Sequence, residues 1–96
     1  MAEVRLTRDA ERDLRRIGVG PQRTHILAAL RTLDADAANL DIKALAGAKP
    51  WLRLRVGDYR LLSWQRPDNA YEVARIVRRR DLDASVATLP DAEPEA

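Results

Sequence analysis

Residues 51–64, WLRLRVGDYRLLSW, alternate apolar and polar side chains around a Gly57-Asp58 pair. A period of two is the signature of a β-strand, and a glycine-led pair between two such runs is a hairpin turn. The stretch therefore predicts two antiparallel strands, with Leu52, Leu54 and Val56 turned to one side and Trp51, Arg53 and Arg55 to the other, and with Tyr59 to Trp64 returning. So much arginine on the outward side of a strand pair calls for a reason.

The flanking sequence supplies the rest of a fold. After the hairpin, Pro67, Asp68 and Asn69 make a second turn and Tyr71 to Val77 a third strand, with Val73, Arg75 and Val77 on one face and Ala74 and Ile76 on the other; Arg78 to Arg80 end it. Before the hairpin, Val4 and Leu6 read as a short strand, and Thr7 offers a hydroxyl to cap the helix that follows. Ala10, Leu14 and Ile17 form one stripe of that helix, and Gly18 and Gly20 stop it. Pro21 suits the first turn of a second helix, whose stripe is Ile26, Leu27, Leu30 and Leu33. Residues 34–50 read as a loop with one short helical turn, and residues 81–88 as one or two turns of helix. The order predicts an α+β domain of two layers, an N-terminal strand and an antiparallel two-helix hairpin packed on an antiparallel β-meander, with a short C-terminal helix and one sheet face left open.

The chain has 96 residues, 46% of them apolar and 33% charged, which suits one compact domain over residues 1–88. Residues 89–96 read as a disordered acidic tail. No cysteine and a single histidine, His25, exclude a disulfide framework and a thiolate or imidazole metal centre. Neither a signal peptide nor a membrane span is evident, so the expectation is a cytoplasmic protein with no membrane partner and no metal or other cofactor.

The net charge of +2 conceals a block structure. Residues 1–42 balance seven arginines against seven acids; residues 43–80 carry ten basic residues against Asp58, Asp68 and Glu72; residues 81–96 carry five acids and no base. Basic charge concentrated in one block is a reason to expect an acidic partner. A second reading stays open, because arginine outnumbers lysine 15 to 2 over the whole chain, and exposed strands often carry long charged side chains whose stems cover apolar surface.

Three segments together resemble the RelE/ParE superfamily of toxins from bacterial type II toxin-antitoxin systems: VRLTRDAERDLRRI near the N-terminus, the LRVGDYRLL hairpin, and VARIV followed by RRRDL. The resemblance covers roughly residues 2–84 and implies a RelE-like fold. It further implies a ribosome-dependent endoribonuclease that cuts messenger RNA, inhibits translation and is neutralised by a cognate antitoxin. On it, Arg60 matches the arginine that contacts the scissile phosphate, Arg53 a basic strand residue and Arg79 the arginine of the terminal basic motif, and these three form the expected catalytic set. Arg55, Arg78, Arg80, Lys43 and Lys49 form the expected RNA- and phosphate-binding set. Trp51 stands where such nucleases can carry a lysine, Arg78 where histidine or lysine is frequent, and Asp83 where many have a tyrosine. Those departures keep two alternatives open, a ParE-type inhibitor of DNA gyrase and an inactive toxin-like binding domain.

The chemistry expected of a nuclease is attack of a ribose 2′-OH on its own phosphate, without metal. An arginine fork can grip two phosphate oxygens and remains charged at any working pH, which suits Arg60 and Arg79 to stabilising the transition state. Arginine is a poor proton acceptor, so Asp58, Asp81 and Asp83 are the residues to weigh for that task. Trp51 and Trp64 could stack on bases or serve as packing residues.

Overall fold

The computed structural model of the chain describes residues 3–36, 39–45 and 50–89. Strand β1 (Val4–Leu6) leads into helices α1 (Arg8–Ile17) and α2 (Pro21–Asp36). Strands β2 (Ile42–Ala44), β3 (Leu52–Val56), β4 (Tyr59–Gln65) and β5 (Tyr71–Arg78) follow, and a 3-10 turn at Arg79–Asp81 enters helix α3 (Leu82–Ala87). The fold is the expected α+β arrangement. Of the tail read at 89–96, all but Leu89 lies outside the described residues.

Local chemistry sets the element boundaries. The Thr7 hydroxyl accepts the Ala10 N–H at 3.1 Å and donates to the Ala74 carbonyl at 2.9 Å, so one side chain both caps α1 and ties it to β5. Gly18 ends α1 at φ 77°, in the left-handed region that only glycine adopts at little cost. Gly57, at φ 58°, is the first residue of the β3–β4 turn, and a positive φ at that position alone is what a type II′ turn requires.

The sheet runs β1-β5-β4-β3-β2, with β1 parallel to β5 and every other pair antiparallel. Its helix side carries the core: Ala10 and Leu14 of α1 and Ile26, Leu30 and Leu33 of α2 close over Leu54, Leu61, Val73 and Ile76. Leu54, Leu61 and Ile76 are direct cross-strand partners, continued on β2 by Ile42, so the core rests on one row across four strands.

Three features depart from the sequence reading. The segment read as a loop with a helical turn contains β2, which pairs with β3 and makes the sheet five-stranded. The third strand of the meander does not keep one alternation: Leu62 pairs with Arg75 and Ser63 with Val73, so Ala74 is an extra residue on β5. That bulge shifts the phase and brings Val73 and Ile76 into the same core, where strict alternation had put them on opposite faces. Finally, Tyr59 to Trp64 are all buried, because β4 is the central strand and both of its faces are covered. Trp51 and Trp64 are buried too, which makes them packing residues.

Strand β1 stops opposite Val73, and among the described residues the outer edge of β5 beyond that point has no neighbouring strand. Asp13 of α1 takes the strand's place there. Its Oδ2 accepts the Ile76 N–H at 2.9 Å and Arg75 Nε at 2.8 Å, while Oδ1 accepts Arg75 Nη2 at 3.2 Å.

Candidate anion-binding face

Pairing register assembles the candidate residues. On the face opposite the helices, Arg55, Arg60 and Val77 form one cross-strand row, and Lys43, Arg53, Leu62 and Arg75 form the next. Arg60 is at the centre and only 7% exposed, which corrects its expected place on an open surface. It stands on the central strand between Arg55 and Val77, with the Arg53 and Leu62 row on one side and the β3–β4 turn on the other. Arg53 is also largely covered, with 15% of its side chain exposed, whereas Arg55 is 59% exposed.

The Arg60 guanidinium is anchored by its own turn. Nη1 donates to the Gly57 carbonyl and to the Tyr59 carbonyl, each at 2.9 Å, which fixes the plane of the fork. Burial and then the positive charges of Arg55, Arg53 and Arg79 push Arg60 below its ordinary value, while Asp58 acts in the opposite sense. Even so lowered, an arginine remains a cation at neutral pH. Arg60 thus holds its charge in a partly desolvated place with three other arginines nearby, an arrangement that an anion relieves.

Arg79 opens the 3-10 turn that follows β5. Its backbone N–H donates to the Asp58 carbonyl at 2.9 Å, fastening the end of β5 to the β3–β4 turn, and Asp58, Arg79 and Arg80 line a shallow cleft of about 390 Å³. Arg78 goes elsewhere. It is paired with Tyr59 on the helix-side row and lies over the Tyr59 ring, 5.9 Å from its centroid, so the structure does not bring it to the Arg60 cluster. Lys43 is exposed and directly opposite Arg53. Lys49 lies outside the described residues. Of the three acids weighed as proton acceptors, Asp58 borders the cluster, Asp81 lines the groove that also holds Arg78, and Asp83 is exposed on α3.

One residue of the face was missed in the sequence. Asp41 immediately precedes β2; its carbonyl accepts the Arg55 N–H at 3.0 Å, and its carboxylate lies 3.5 Å from Arg53 Nη2 and 4.0 Å from Arg55 Nη1. The signal was the alternation Asp41, Ile42, Lys43, Ala44, which would have set Asp41 and Lys43 on the same side as the arginines. Among the described residues, no group of three His, Cys, Asp or Glu side chains could hold a metal ion, and no helix is long and apolar enough to cross a membrane.

A family model described as the ParE toxin of the type II toxin-antitoxin system, parDE, matches residues 4–83. The chain belongs to this toxin family. Solved structures agree on the fold. The RelB-RelE antitoxin-toxin complex from Methanococcus jannaschii matches at TM-score 0.68 with 21% identity, over 84% of this chain and 96% of that one. The archaeal RelE-RelB complex from Pyrococcus horikoshii matches at 0.66 with 18% identity, over 81% and 94%. The toxin-antitoxin complex RelBE2 from Mycobacterium tuberculosis matches at 0.57 with 26% identity, over 81% and 98%. No curated protein matches the chain. The protein is a RelE/ParE superfamily toxin, and the arginine face is carried on the sheet that this fold provides.

Proposed function

We propose that this toxin is a metal-independent endoribonuclease that cuts messenger RNA on the ribosome and so stops translation. The observation that carries the reading is the placement of Arg55 directly across from the buried, turn-anchored Arg60, with Arg53 in the neighbouring row and Arg79 tied to the same turn through its backbone. In the reaction the ribose 2′-oxygen gives up its proton and bonds to the adjacent phosphorus, the bond to the 5′-oxygen breaks, that oxygen leaves as a hydroxyl with a proton from water, and a 2′,3′-cyclic phosphate remains. Negative charge grows on the phosphoryl oxygens as this happens. With Nη1 engaged by the two carbonyls, Arg60 presents Nε and Nη2 to those oxygens, and Arg79 approaches from the turn. Arg53 completes the catalytic set, while Arg55, Arg80, Lys43 and Lys49 hold flanking phosphates. Asp58, beside the cluster, is the acid best situated to accept the 2′-hydroxyl proton.

The solved relatives from M. jannaschii and M. tuberculosis are toxin-antitoxin complexes. By that likeness a cognate antitoxin neutralises this toxin in the cytoplasm, with an acidic segment laid over the arginine face. A second reading, inhibition of DNA gyrase, is favoured by the ParE family model and by Asp83 at a position where many of the nucleases have tyrosine. Expression of the chain alone in a bacterial host, with primer extension on abundant messages and a DNA-damage reporter, separates the two. Cuts within translated codons that vanish in the Arg60→Ala, Arg79→Ala double variant support the nuclease. A damage response with intact messages supports the gyrase inhibitor.

A further inference from the structure

The face that gathers Arg53, Arg55 and Arg60 also contains a carboxylate, in the row of Arg55 and Arg60. Lys43 opposite Arg53 carries Asp41 opposite Arg55, and the bond from the Arg55 N–H to the Asp41 carbonyl, 3.0 Å, confirms that continuation beyond β2. The Asp41 carboxylate spans the two arginines, Oδ1 toward Arg53 and Oδ2 toward Arg55, at 3.5 and 4.0 Å. Both distances are those of ion pairs without close hydrogen bonds, and Asp41 is itself 43% exposed. Ion pairs at such distances with a half-exposed carboxylate are weak. Their strength is therefore of the order that one phosphate contact could replace.

We propose that Asp41 is a built-in counter-ion of the arginine face, occupying the place of a phosphate between Arg53 and Arg55 until a polyanion displaces it. The inference rests on the reading that this face binds phosphate. Asp41 has two effects. It holds Arg53 and Arg55 extended across the rows, so the empty site does not collapse or repel itself open. It also makes every bound phosphate compete with a tethered carboxylate, which a single small anion does poorly and a chain with many phosphates does well. The face thereby favours an extended nucleic-acid strand over free phosphate or an isolated carboxylate. The carboxylate belongs to the segment before β2, so displacement needs only a side-chain rotation and leaves the β2–β3 ladder intact.

The test uses the full chain and a short, fluorescently labelled 2′-O-methyl oligoribonucleotide, which carries phosphates but cannot be cleaved, titrated over a series of salt concentrations. Asp41→Asn should bind it roughly fivefold more tightly than wild type at low salt. The slope of log affinity against log salt should also steepen, by up to about one ion. Asp41→Glu, which retains the charge, should bind as wild type does. Thermal unfolding of each variant reports whether the fold is kept. Equal or weaker binding by a folded Asp41→Asn chain overturns the proposal, and if that variant does not fold, looser or tighter binding by Asp41→Glu paired with an unchanged salt slope does so. Absence of binding by wild type and variants alike overturns the phosphate reading itself, a result distinct from the first.

Discussion

Asp13 and Arg75, 62 positions apart, form a two-point pair in which the same carboxylate also receives the backbone N–H of Ile76. The pair fastens α1 to the outer edge of β5, where β1 no longer reaches. The hydrogen bond from Arg75 to Asp13, set against some desolvation, raises the guanidinium above its ordinary value, so Arg75 is a cation at neutral pH.

Asp13→Ala removes the acceptor from both donors and leaves the Ile76 N–H buried without a partner. The expected cost is about 2–3 kcal/mol, less than for a fully buried pair because Arg75 retains access to water. Urea unfolding measures it directly. A loss under about 0.5 kcal/mol would mean that water replaces the carboxylate at the edge without penalty.

Arg60→Met separates stability from function at the central position. The substitution gives up two hydrogen bonds to carbonyls, and it also removes a desolvated charge crowded by three other arginines. These effects oppose each other, so stability should change by no more than about 1 kcal/mol. Binding of the 2′-O-methyl oligoribonucleotide should fall by about tenfold or more, as expected for loss of a charge-assisted phosphate contact. A folded Arg60→Met chain that binds the oligonucleotide as well as wild type would reduce Arg60 to a brace for the turn.

The β4–β5 turn should respond to acid. The Ala70 N–H, donating to Asp68 Oδ1 at 3.1 Å, holds the Asp68 carboxyl below its ordinary value of 3.8, with help from Arg66 and Arg5. A lowered folded-state pKa means that the contribution is complete above 3.8 and is lost as pH falls through the lower folded value. An NMR titration should show the Ala70 amide constant from neutral pH down to about 5 and shifting only under more acid conditions. A midpoint above 3.8 would contradict the bond.

The parts of the fold legible in the sequence are those specified by neighbours along the chain. Alternation around Gly57 marked the hairpin, Thr7 and Gly18 marked the limits of α1, and the arginines at 53, 55 and 60 stood out as a group on one side of two strands. The parts that were not legible depend on pairing across the fold. Strand β2 has only three residues, too few for a periodic signal, and becomes a strand because Leu52 to Leu54 offer it a ladder. The bulge at Ala74 exists because β4 and β5 must keep both Val73 and Ile76 in one core. Asp13 reads in sequence as ordinary helix surface charge, and only tertiary contact with β5 reveals it as buried. Asp41 was hidden for the same reason as β2.

The parallel pairing of Val4 to Leu6 with Tyr71 to Val73 has a consequence for how the toxin is born. The first strand of the chain must wait for the last strand of the sheet, and contacts so distant along the sequence form late and slowly. During synthesis the helices and the β3–β4 hairpin can arrange themselves as they emerge, but Thr7 cannot reach Ala74, nor Asp13 reach Arg75, until most of the chain has left the ribosome. Completion of the fold is thereby tied to the emergence of β5, and a translation product truncated before it would lack the β5 and Arg79 side of the arginine face.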